Sequence, residues 1–170
     1  MKLSIEPLSR LHAREEFDCG SEPLNAYLRQ TARQHAERGI SRTFVLVGAP
    51  VRPVAILGYF TLNLCQVQPD WLPETYARKF PREIAAIKLG RLAVDRHHHG
   101  KGYGGLLLAE AMKRVLEVFE TAGGIGLFVD AKDEAAARFY QRFGFEPLPQ
   151  NPLQLFLPLA TIRQAVNSAG

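Results

Sequence analysis

Residues 99–105, His-Gly-Lys-Gly-Tyr-Gly-Gly, are the stretch of this chain whose composition most directly indicates chemistry. Residues 89–94 before it are typical of a buried strand, and residues 106–112 after it begin a strongly helical run. Because glycine has no Cβ atom, the main chain of such a turn can approach a ligand closely. The N–H groups that open a helix are unpaired, and the helix dipole favours negative charge there. The pattern therefore predicts a phosphate-binding turn.

Two common phosphate-binding motifs are glycine-rich turns like this one. Gly100, Gly102 and Gly105 satisfy the dinucleotide pattern G-x-G-x-x-G. That motif also requires a βαβ unit near the N-terminus and an acidic residue about 20 positions later, whereas Glu120 falls inside the helix. The nucleoside triphosphate loop is excluded, because no Lys-Ser or Lys-Thr pair follows a glycine. The dinucleotide interpretation is therefore weak, and a third class of phosphate ligand fits better.

Positive charge is concentrated in the interval that leads to the turn. The chain carries a formal net charge of +4. The basic residues of the interval are Arg78, Lys79, Arg82, Lys88, Arg91, Arg96 and Lys101, against only Glu83 and Asp95. Such a distribution favours an anionic partner. Both the phosphates of a coenzyme and a nucleic acid satisfy this condition, so the charge alone leaves the two open.

Histidine and cysteine are not arranged as metal ligands. His97, His98 and His99 are consecutive in a turn, so they do not converge on one ion as residues spaced four apart on a helix do. Cys19 and Cys65 lie far apart and lack paired spacing, so we expect two reduced thiols rather than a disulfide. The sequence predicts no metal site.

Hydrophobic periodicity predicts the elements that must position the turn. No apolar run reaches the length of about 18 residues that spans a membrane, and the N-terminus lacks the apolar region of a signal peptide, so we expect a cytoplasmic protein. We expect one α/β domain over residues 1–170 with a mixed sheet. Strands are predicted over 3–8, 43–47, 54–64, 85–95, 125–130 and 153–158, and helices over 21–38, 104–121, 133–143 and the C-terminus, with an irregular segment at 69–81.

Four segments in the second half resemble the GNAT family of N-acetyltransferases. Residues 99–104 resemble its Gln/Arg-x-x-Gly-x-Gly/Ala turn, with His99 in place of Gln or Arg. Residues 92–95 and 126–131 resemble the flanking core strands, and 133–145 resembles Asn-x-x-Ala-x-x-Phe-Tyr-x-x-x-Gly-Phe, with Asp133 in place of Asn. The resemblance implies the GNAT fold, in which a mixed, mostly antiparallel sheet is flanked by helices. It also implies acetyl-CoA as the co-substrate and no metal.

The same resemblance assigns residues to the coenzyme. The main chain of the strand before the turn is expected to pair with the pantetheine arm, and the turn itself is expected to hold the diphosphate. The cofactor-binding residues implied are Leu92, Ala93, Val94, His99, Gly100, Lys101, Gly102, Tyr103, Gly104, Gly105 and Asp133.

Tyr140 is the catalytic candidate. Acetyl transfer from a thioester expels a thiolate, which a hydroxyl group can protonate. An unperturbed tyrosine titrates near 10 and a thiol near 8.5, so a tyrosine can act as the general acid. Tyr140 also stands at the family's tyrosine after phenylalanine. Helical spacing places Phe139 and Phe143 on another face, where we expect them to pack in the core.

A second resemblance, in residues 17–34, 39–45 and 89–95, is to acetyltransferase toxins of bacterial type II toxin–antitoxin pairs. It implies that the acetyl group goes to the α-amine of aminoacyl-tRNA, which blocks translation. It further implies a ribbon-helix-helix antitoxin and a homodimer. The residues expected to meet tRNA are Arg78, Lys79, Arg82 and Arg91, and Trp71 and Tyr76 could stack on the RNA end or anchor their own loop.

The alternative functions follow from which amine, if any, accepts the acetyl group. An α-amine titrates near 7.7, well below lysine near 10.4, and an adjacent ester lowers its pKa further. The reaction therefore needs no strong base; Glu83 and Asp95 are candidates, but more typical of surface charge partners. A small-molecule or protein amine is the alternative acceptor. A non-enzymatic, DNA-bound regulator is the third hypothesis, against which Tyr140 and the intact glycine turn argue.

Overall fold

The computed structural model describes residues 2–49, 51–80 and 82–169. The chain folds into two compact units. Unit 1 contains Met1–Asn63 and Gly90–Ala111, and unit 2 contains Leu64–Leu89 and Met112–Gly170. The glycine turn therefore belongs to unit 1, and Tyr140 belongs to unit 2.

The sheet of unit 1 has the strand order β1-β3-β4-β5. Its strands are β1 (Ser4–Pro7), β3 (Arg42–Val47), β4 (Val54–Val67) and β5 (Ile84–Val94), of which β4 and β5 continue into unit 2. β3 is antiparallel to β1 and to β4, whereas the short β2 (His12–Ala13) runs parallel to the start of β4. Gly58 allows β4 to approach its neighbours closely, because a Cβ atom there would lie 2.8 Å from Leu107 Cδ1 and 2.9 Å from Ala93 O.

One helical segment packs against this part of the sheet. It consists of α1 (Glu22–Ala26), a π-helical turn (Tyr27–Thr31) and α2 (Ala32–Glu37). It ends as predicted at Gly39, whose φ of +72° suits the position after a helix. The buried cluster of unit 1 is formed by Phe17, Tyr27, Leu28, Ala32, Val45, Val47, Val54, Ile56, Tyr59 and Ala93.

The sheet of unit 2 has the strand order β5-β6-β8-β7. Its further elements are α3 (Glu74–Ala77), β6 (Gly126–Asp130), α5 (Glu134–Gln141), β7 (Glu146–Leu148), β8 (Asn151–Pro158) and α6 (Leu159–Ala169). β5 and β6 are parallel, and β8 is antiparallel to β6 and to β7. α4 (Tyr103–Ala122) begins in unit 1 and ends in unit 2. The buried cluster of unit 2 is formed by Val67, Leu72, Ala86, Phe128, Leu148 and Phe156.

The predicted α/β fold with a mixed, mostly antiparallel sheet is confirmed. The sequence missed β2 and β7, which are too short to show periodicity. It also missed α3 and a 3₁₀ turn (Pro69–Trp71), because prolines dominate that segment. In the described part of the chain, no helix is long and apolar enough to cross a membrane.

Candidate active site

The glycine turn has the geometry of an anion site. Gly100 and Gly102 both adopt φ of +79°, which side-chain-bearing residues rarely do. Among the described residues, apart from each glycine and its chain neighbours, no atom lies within 4 Å of the place where its Cβ atom would stand, so the space beside the turn is open. The Leu106 N–H donates to Gly102 O (3.2 Å), and the N–H groups of residues 103–105 precede this first helical bond. The turn therefore fits a diphosphate.

Hydrogen bonds of the main chain and of the His99 imidazole hold the segment that joins β5 to the glycine turn. Asp95 N–H donates to Leu57 O on β4 (2.9 Å). His99 Nε2 lies 2.8 Å from Val94 O, and since a carbonyl only accepts, this nitrogen carries the proton. The bond joins the end of β5 to the first residue of the turn. It explains how His99 can stand in the place of a longer polar side chain.

The buried side chain of Asp95 holds the same segment in place. It is 7% exposed, and its carboxylate accepts hydrogen bonds from Asp18 N–H (3.2 Å) and from His97 N–H (2.9 Å). Burial raises the pKa of Asp95, but these bonds outweigh it and hold the pKa below its usual value. The expectation that Asp95 is a surface charge partner is wrong, because its ionised carboxylate is an internal acceptor.

Asp18, in the N-terminal segment, makes further contacts with the residues that follow β5. Its carbonyl accepts from Arg96 N–H (2.8 Å), and its carboxylate pairs with Arg96 Nε (3.2 Å). The Gly20 N–H and the Asn25 amide also donate to the Asp18 carboxylate. The N-terminal segment is thus held against the exit of β5, directly before the turn.

Successive residues at the end of β5 direct their main-chain N–H and C=O groups to opposite sides of the strand. Because Asp95 N–H points to β4, the strand's alternation directs the polar groups of Leu92 and Val94 away from β4. The Val94 carbonyl already accepts from His99. Ala93, between them, is buried in the core of unit 1. Leu92 and Val94 thus have the orientation that pairing with an extended ligand requires.

Tyr140 lies in unit 2 near the end of α5. Asp133 caps this helix, because its Oδ1 accepts from Ala136 N–H (2.8 Å). The Tyr140 ring is 7% exposed and lies edge-on to Phe145, with 5.4 Å between centroids. Burial raises the pKa of Tyr140 to about 12, so the phenol keeps its proton at neutral pH. Phe139 and Phe143, expected in the core, are only half-buried and pack on each other.

Residues 58–147 match the family of acetyltransferase (GNAT) domains. This range covers more than half of the chain and includes both the glycine turn and Tyr140. The chain belongs to the GNAT acetyltransferase family. The predicted family and fold are thereby confirmed.

Relatives of this GNAT chain include bacterial toxins. A tRNA-acetylating toxin of Mycobacterium tuberculosis is 33% identical over 150 residues, which are 88% of this chain and 88% of that protein. A structure of AtaT complexed with acetyl-methionyl-tRNAfMet has a TM-score of 0.88 and 35% identity, and the match covers 96% of this chain and 98% of that one. A tyrosine-to-phenylalanine mutant of AtaT bound to the C-terminus of the antitoxin AtaR and to acetyl-CoA has a TM-score of 0.80 and 34% identity, over 95% of this chain and 96% of that one. The predicted toxin subgroup is confirmed by these matches.

The four basic residues predicted to meet RNA differ in their surroundings in this GNAT chain. Arg78, Lys79 and Arg82 are exposed in unit 2, and Arg78 pairs with Glu74 (3.3 Å). Arg91, in unit 1, is half-buried, and its guanidinium lies 3.5 Å from the ring centroid of Tyr27. Arg91 therefore already has a cation–π partner within the protein.

Trp71 and Tyr76, the two aromatic residues named in the proline-rich segment, also differ in their surroundings. The Tyr76 ring lies edge-on to Phe156 at 5.4 Å, which anchors the loop to the sheet of unit 2. Trp71 is 45% exposed. It stands at the rim of a cavity of about 370 Å³ that lies within unit 2. Tyr76 is therefore an anchor, whereas the indole is available to a ligand.

This cavity is the feature that sequence reasoning missed. Its wall carries the ion pair between Lys88 and Asp130, and Cys65 lies beside it. Burial raises the pKa of the Cys65 thiol, which makes it a poor nucleophile. The sequence gives one partial signal, because Lys88 stands between the apolar residues 84–87 and Leu89 of β5. Among the described residues, no group of histidine, cysteine and acidic side chains could hold a metal ion.

Proposed function

We propose that this chain transfers the acetyl group of acetyl-CoA to the α-amine of aminoacyl-tRNA and thereby blocks translation. The observation that carries the proposal is the match, along nearly the whole chain, with a structure that holds an acetylated aminoacyl-tRNA. The open glycine turn and the protonated Tyr140 supply the chemistry that such a transfer needs.

Unit 1 binds the donor. The N–H groups of residues 102–105 hold the diphosphate, with charge from Lys101, and His99 keeps the turn in shape through Val94. The main chain of residues 92–94 pairs with the pantetheine arm. The donor-binding residues are thus Leu92, Ala93, Val94, His99, Gly100, Lys101, Gly102, Tyr103, Gly104 and Gly105, and Asp133 contributes through α5, which it caps.

Unit 2 supplies the proton. The amine nitrogen attacks the thioester carbonyl carbon, the C–S bond breaks, and Tyr140 gives its proton to the departing sulfur. The amine proton is released to water, from which the phenolate of Tyr140 is reprotonated. The high pKa of Tyr140 ensures that its proton is in place before each turnover.

The acceptor needs little activation by the protein. Because an α-amine titrates near 7.7 and an ester lowers this further, a large neutral fraction exists at physiological pH. Arg78, Lys79 and Arg82 bind the phosphates of the RNA. Arg91 contributes through the Tyr27 stack, which holds its charge in one place.

The assembly follows from the same likeness. AtaT binds the C-terminus of the antitoxin AtaR. We propose that this chain, too, is neutralised by an antitoxin, of the ribbon-helix-helix type, and that it acts as a cytoplasmic homodimer. We also propose that residues 1–170 form one domain, since β4, β5 and α4 each continue through both units.

The test is a transfer assay with labelled acetyl-CoA, in which a complete set of charged tRNAs is compared with the same tRNAs after deacylation. We expect label only on charged tRNA, released by hydrolysis as an N-acetyl amino acid. Label on free amines or proteins with none on any charged tRNA would point to the alternative acceptor class. A companion assay of protein synthesis in a cell extract should show inhibition that depends on acetyl-CoA.

A further inference from the structure

We propose that the cavity of unit 2 binds one unpaired nucleobase of the acceptor RNA. In this arrangement the base stacks on Trp71, and the amide side chains of the cavity contact its polar edge. The proposal rests on the proposed function and names the part of the RNA that the chain recognises beyond the phosphates.

The cavity has the size and the fixed rim of a ligand site. Its volume of about 370 Å³ lies in the range of about 300–1,000 Å³ that is typical of small-molecule sites. Trp71 is held by its N–H bond to Gln68 O (3.0 Å), and the next residue, Leu72, is 3% exposed. The backbone that carries the indole is therefore anchored, while the ring remains 45% exposed.

The lining has the mixed chemistry that a base requires. A nucleobase has two apolar faces and an edge of hydrogen-bond donors and acceptors. Trp71 and Phe128 offer aromatic surface, and Gln150 and Gln154 offer amide groups that donate and accept. Asn151, whose Oδ1 accepts from Leu153 N–H (3.2 Å), adds its amide N–H groups. Lys88 and Asp130 add a charged donor and a charged acceptor at the wall. An aliphatic amino-acid side chain would leave these polar groups unsatisfied.

The surroundings indicate that the base belongs to an RNA. Phe128 in the cavity stacks on Phe156 at 4.8 Å, and Phe156 in turn packs against Tyr76. Tyr76 lies in α3, and the exposed basic residues Arg78, Lys79 and Arg82 follow this helix as the basic segment. One aromatic stack therefore connects the cavity with the basic segment. A free nucleobase would need no such cations, whereas a polynucleotide does.

The cavity and α5 do not occupy the same space. Along β8, Gln154 and Phe156 face the cavity side, and Leu155 and Leu157 face the other. The turn after α5 packs on that other face, because a Cβ atom on Gly144 would lie 3.4 Å from Leu157 Cδ1. The cavity and the helix that carries Tyr140 thus occupy opposite faces of β8. An acceptor in the cavity does not displace the helix.

Trp71 is the chain's one tryptophan, so its fluorescence reports on the cavity alone. The probe is an RNA hairpin that has a tRNA acceptor stem and an unpaired 3′ end and carries no amino acid. We expect saturable quenching, and we expect it to be lost when one unpaired nucleotide is replaced by an abasic residue. Equal quenching by the intact hairpin and by every abasic hairpin would overturn the proposal. This measurement needs neither catalysis nor a variant.

Kinetics provide the second measurement. Trp71→Ala should raise the KM for aminoacyl-tRNA by about 5- to 150-fold, the range expected for one lost base–aromatic stack, and leave acetyl-CoA binding unchanged. Trp71→Phe should recover most of the loss, and Val118→Ala, another exposed apolar residue of unit 2, should have no effect. The Trp71→Ala defect should also disappear on the abasic substrate. A KM for Trp71→Ala equal to that of Val118→Ala would refute the base site.

Failure of the two proposals can be told apart. If the wild-type chain acetylates no aminoacyl-tRNA but shows quenching that depends on the base, the acceptor chemistry is wrong and the cavity remains an RNA-base site. If it acetylates aminoacyl-tRNA with no response to Trp71→Ala or to abasic positions, the function stands and the base site is wrong.

Discussion

In the proposed mechanism the groups of unit 1 that hold the donor belong to the main chain, whereas the reacting group of unit 2 is one buried phenol. We propose that the turn binds through its N–H groups, and its residues fix the backbone: the glycines by their φ of +79°, His99 by its bond to Val94, and Asp95 by its bonds to Asp18 and His97. Tyr140 contributes a single hydroxyl group, whose pKa is set by burial.

This difference determines what each unit tolerates. A main-chain site accepts a change of side chain that preserves the backbone, as the histidine at position 99 illustrates. It does not accept a change of shape. A side-chain site accepts small changes of shape but not the loss of the reacting atom. The two units should therefore fail in different steps, binding for unit 1 and transfer for unit 2.

The largest effect is expected for Gly102→Asp, which should abolish acetyl-CoA binding. The substitution forces a side chain into φ of +79° and brings negative charge to a diphosphate site. Isothermal titration with acetyl-CoA measures the loss. Gly123→Asp is the matched control, because Gly123 has φ of +87° and equally open surroundings at the other end of α4. Equal acetyl-CoA affinity in the two variants would contradict the diphosphate site.

Tyr140→Phe should retain acetyl-CoA binding and lower kcat by about 10²- to 10⁴-fold, the usual contribution of a general acid. The buried ring still fills its place against Phe145, so stability should change little. Single-turnover transfer to charged tRNA measures the step itself. Tyr76→Phe, at another tyrosine of unit 2, should transfer normally. A Tyr140→Phe variant with normal kcat would remove the phenol from the mechanism.

The pH profile tests the environment of Tyr140. Burial raises its pKa to about 12, so the acid form persists at every pH below that value. The rate should therefore rise as the amine loses its proton, at or below about pH 7.7, and then stay level to about pH 9. Initial rates of acetyl transfer over this range give the profile. A fall in rate with a midpoint below pH 9 would show that the pKa of Tyr140 lies below the ordinary tyrosine value near 10, contrary to the effect of burial.

Asp95→Asn should produce a smaller loss, in unit 1 only. The amide cannot accept from both Asp18 N–H and His97 N–H as the carboxylate does, which should cost about 1–3 kcal/mol of unfolding free energy. The KM for acetyl-CoA should rise several-fold with kcat nearly unchanged. Denaturant unfolding and steady-state kinetics check the two parts. A fall in kcat at unchanged KM would instead make Asp95 the general base.

The smallest effect is expected for the double reversal Arg78→Glu and Lys79→Glu. It should weaken charged-tRNA binding several-fold and lower the salt dependence of that binding by about one unit of slope per lost phosphate contact. Acetyl-CoA binding should not change. Lys132→Glu with Arg163→Glu, also exposed in unit 2, provides equal charge change elsewhere. Equal losses of tRNA and acetyl-CoA binding would argue against an RNA role for this segment.

Motifs that are continuous in sequence were the predictable part of this molecule. The glycine turn, the helix that carries Tyr140 and the central strands could be read from the chain because each is local. Asp18 and Asp95 could not, since they are 77 positions apart and only folding joins them. The stacking of Arg91 on Tyr27 and the cavity around Lys88 are equally non-local. The pKa of Tyr140 also depends on burial, which spacing alone does not report.

The position of bound acetyl-CoA tests the two proposed roles most directly. A crystal structure of this chain with acetyl-CoA should show the diphosphate on the N–H groups of residues 102–105. It should also show the sulfur atom within hydrogen-bond distance of Tyr140 Oη. A diphosphate bound elsewhere, or a Tyr140 hydroxyl turned away from the sulfur, would contradict the division between a main-chain donor site and a single catalytic phenol.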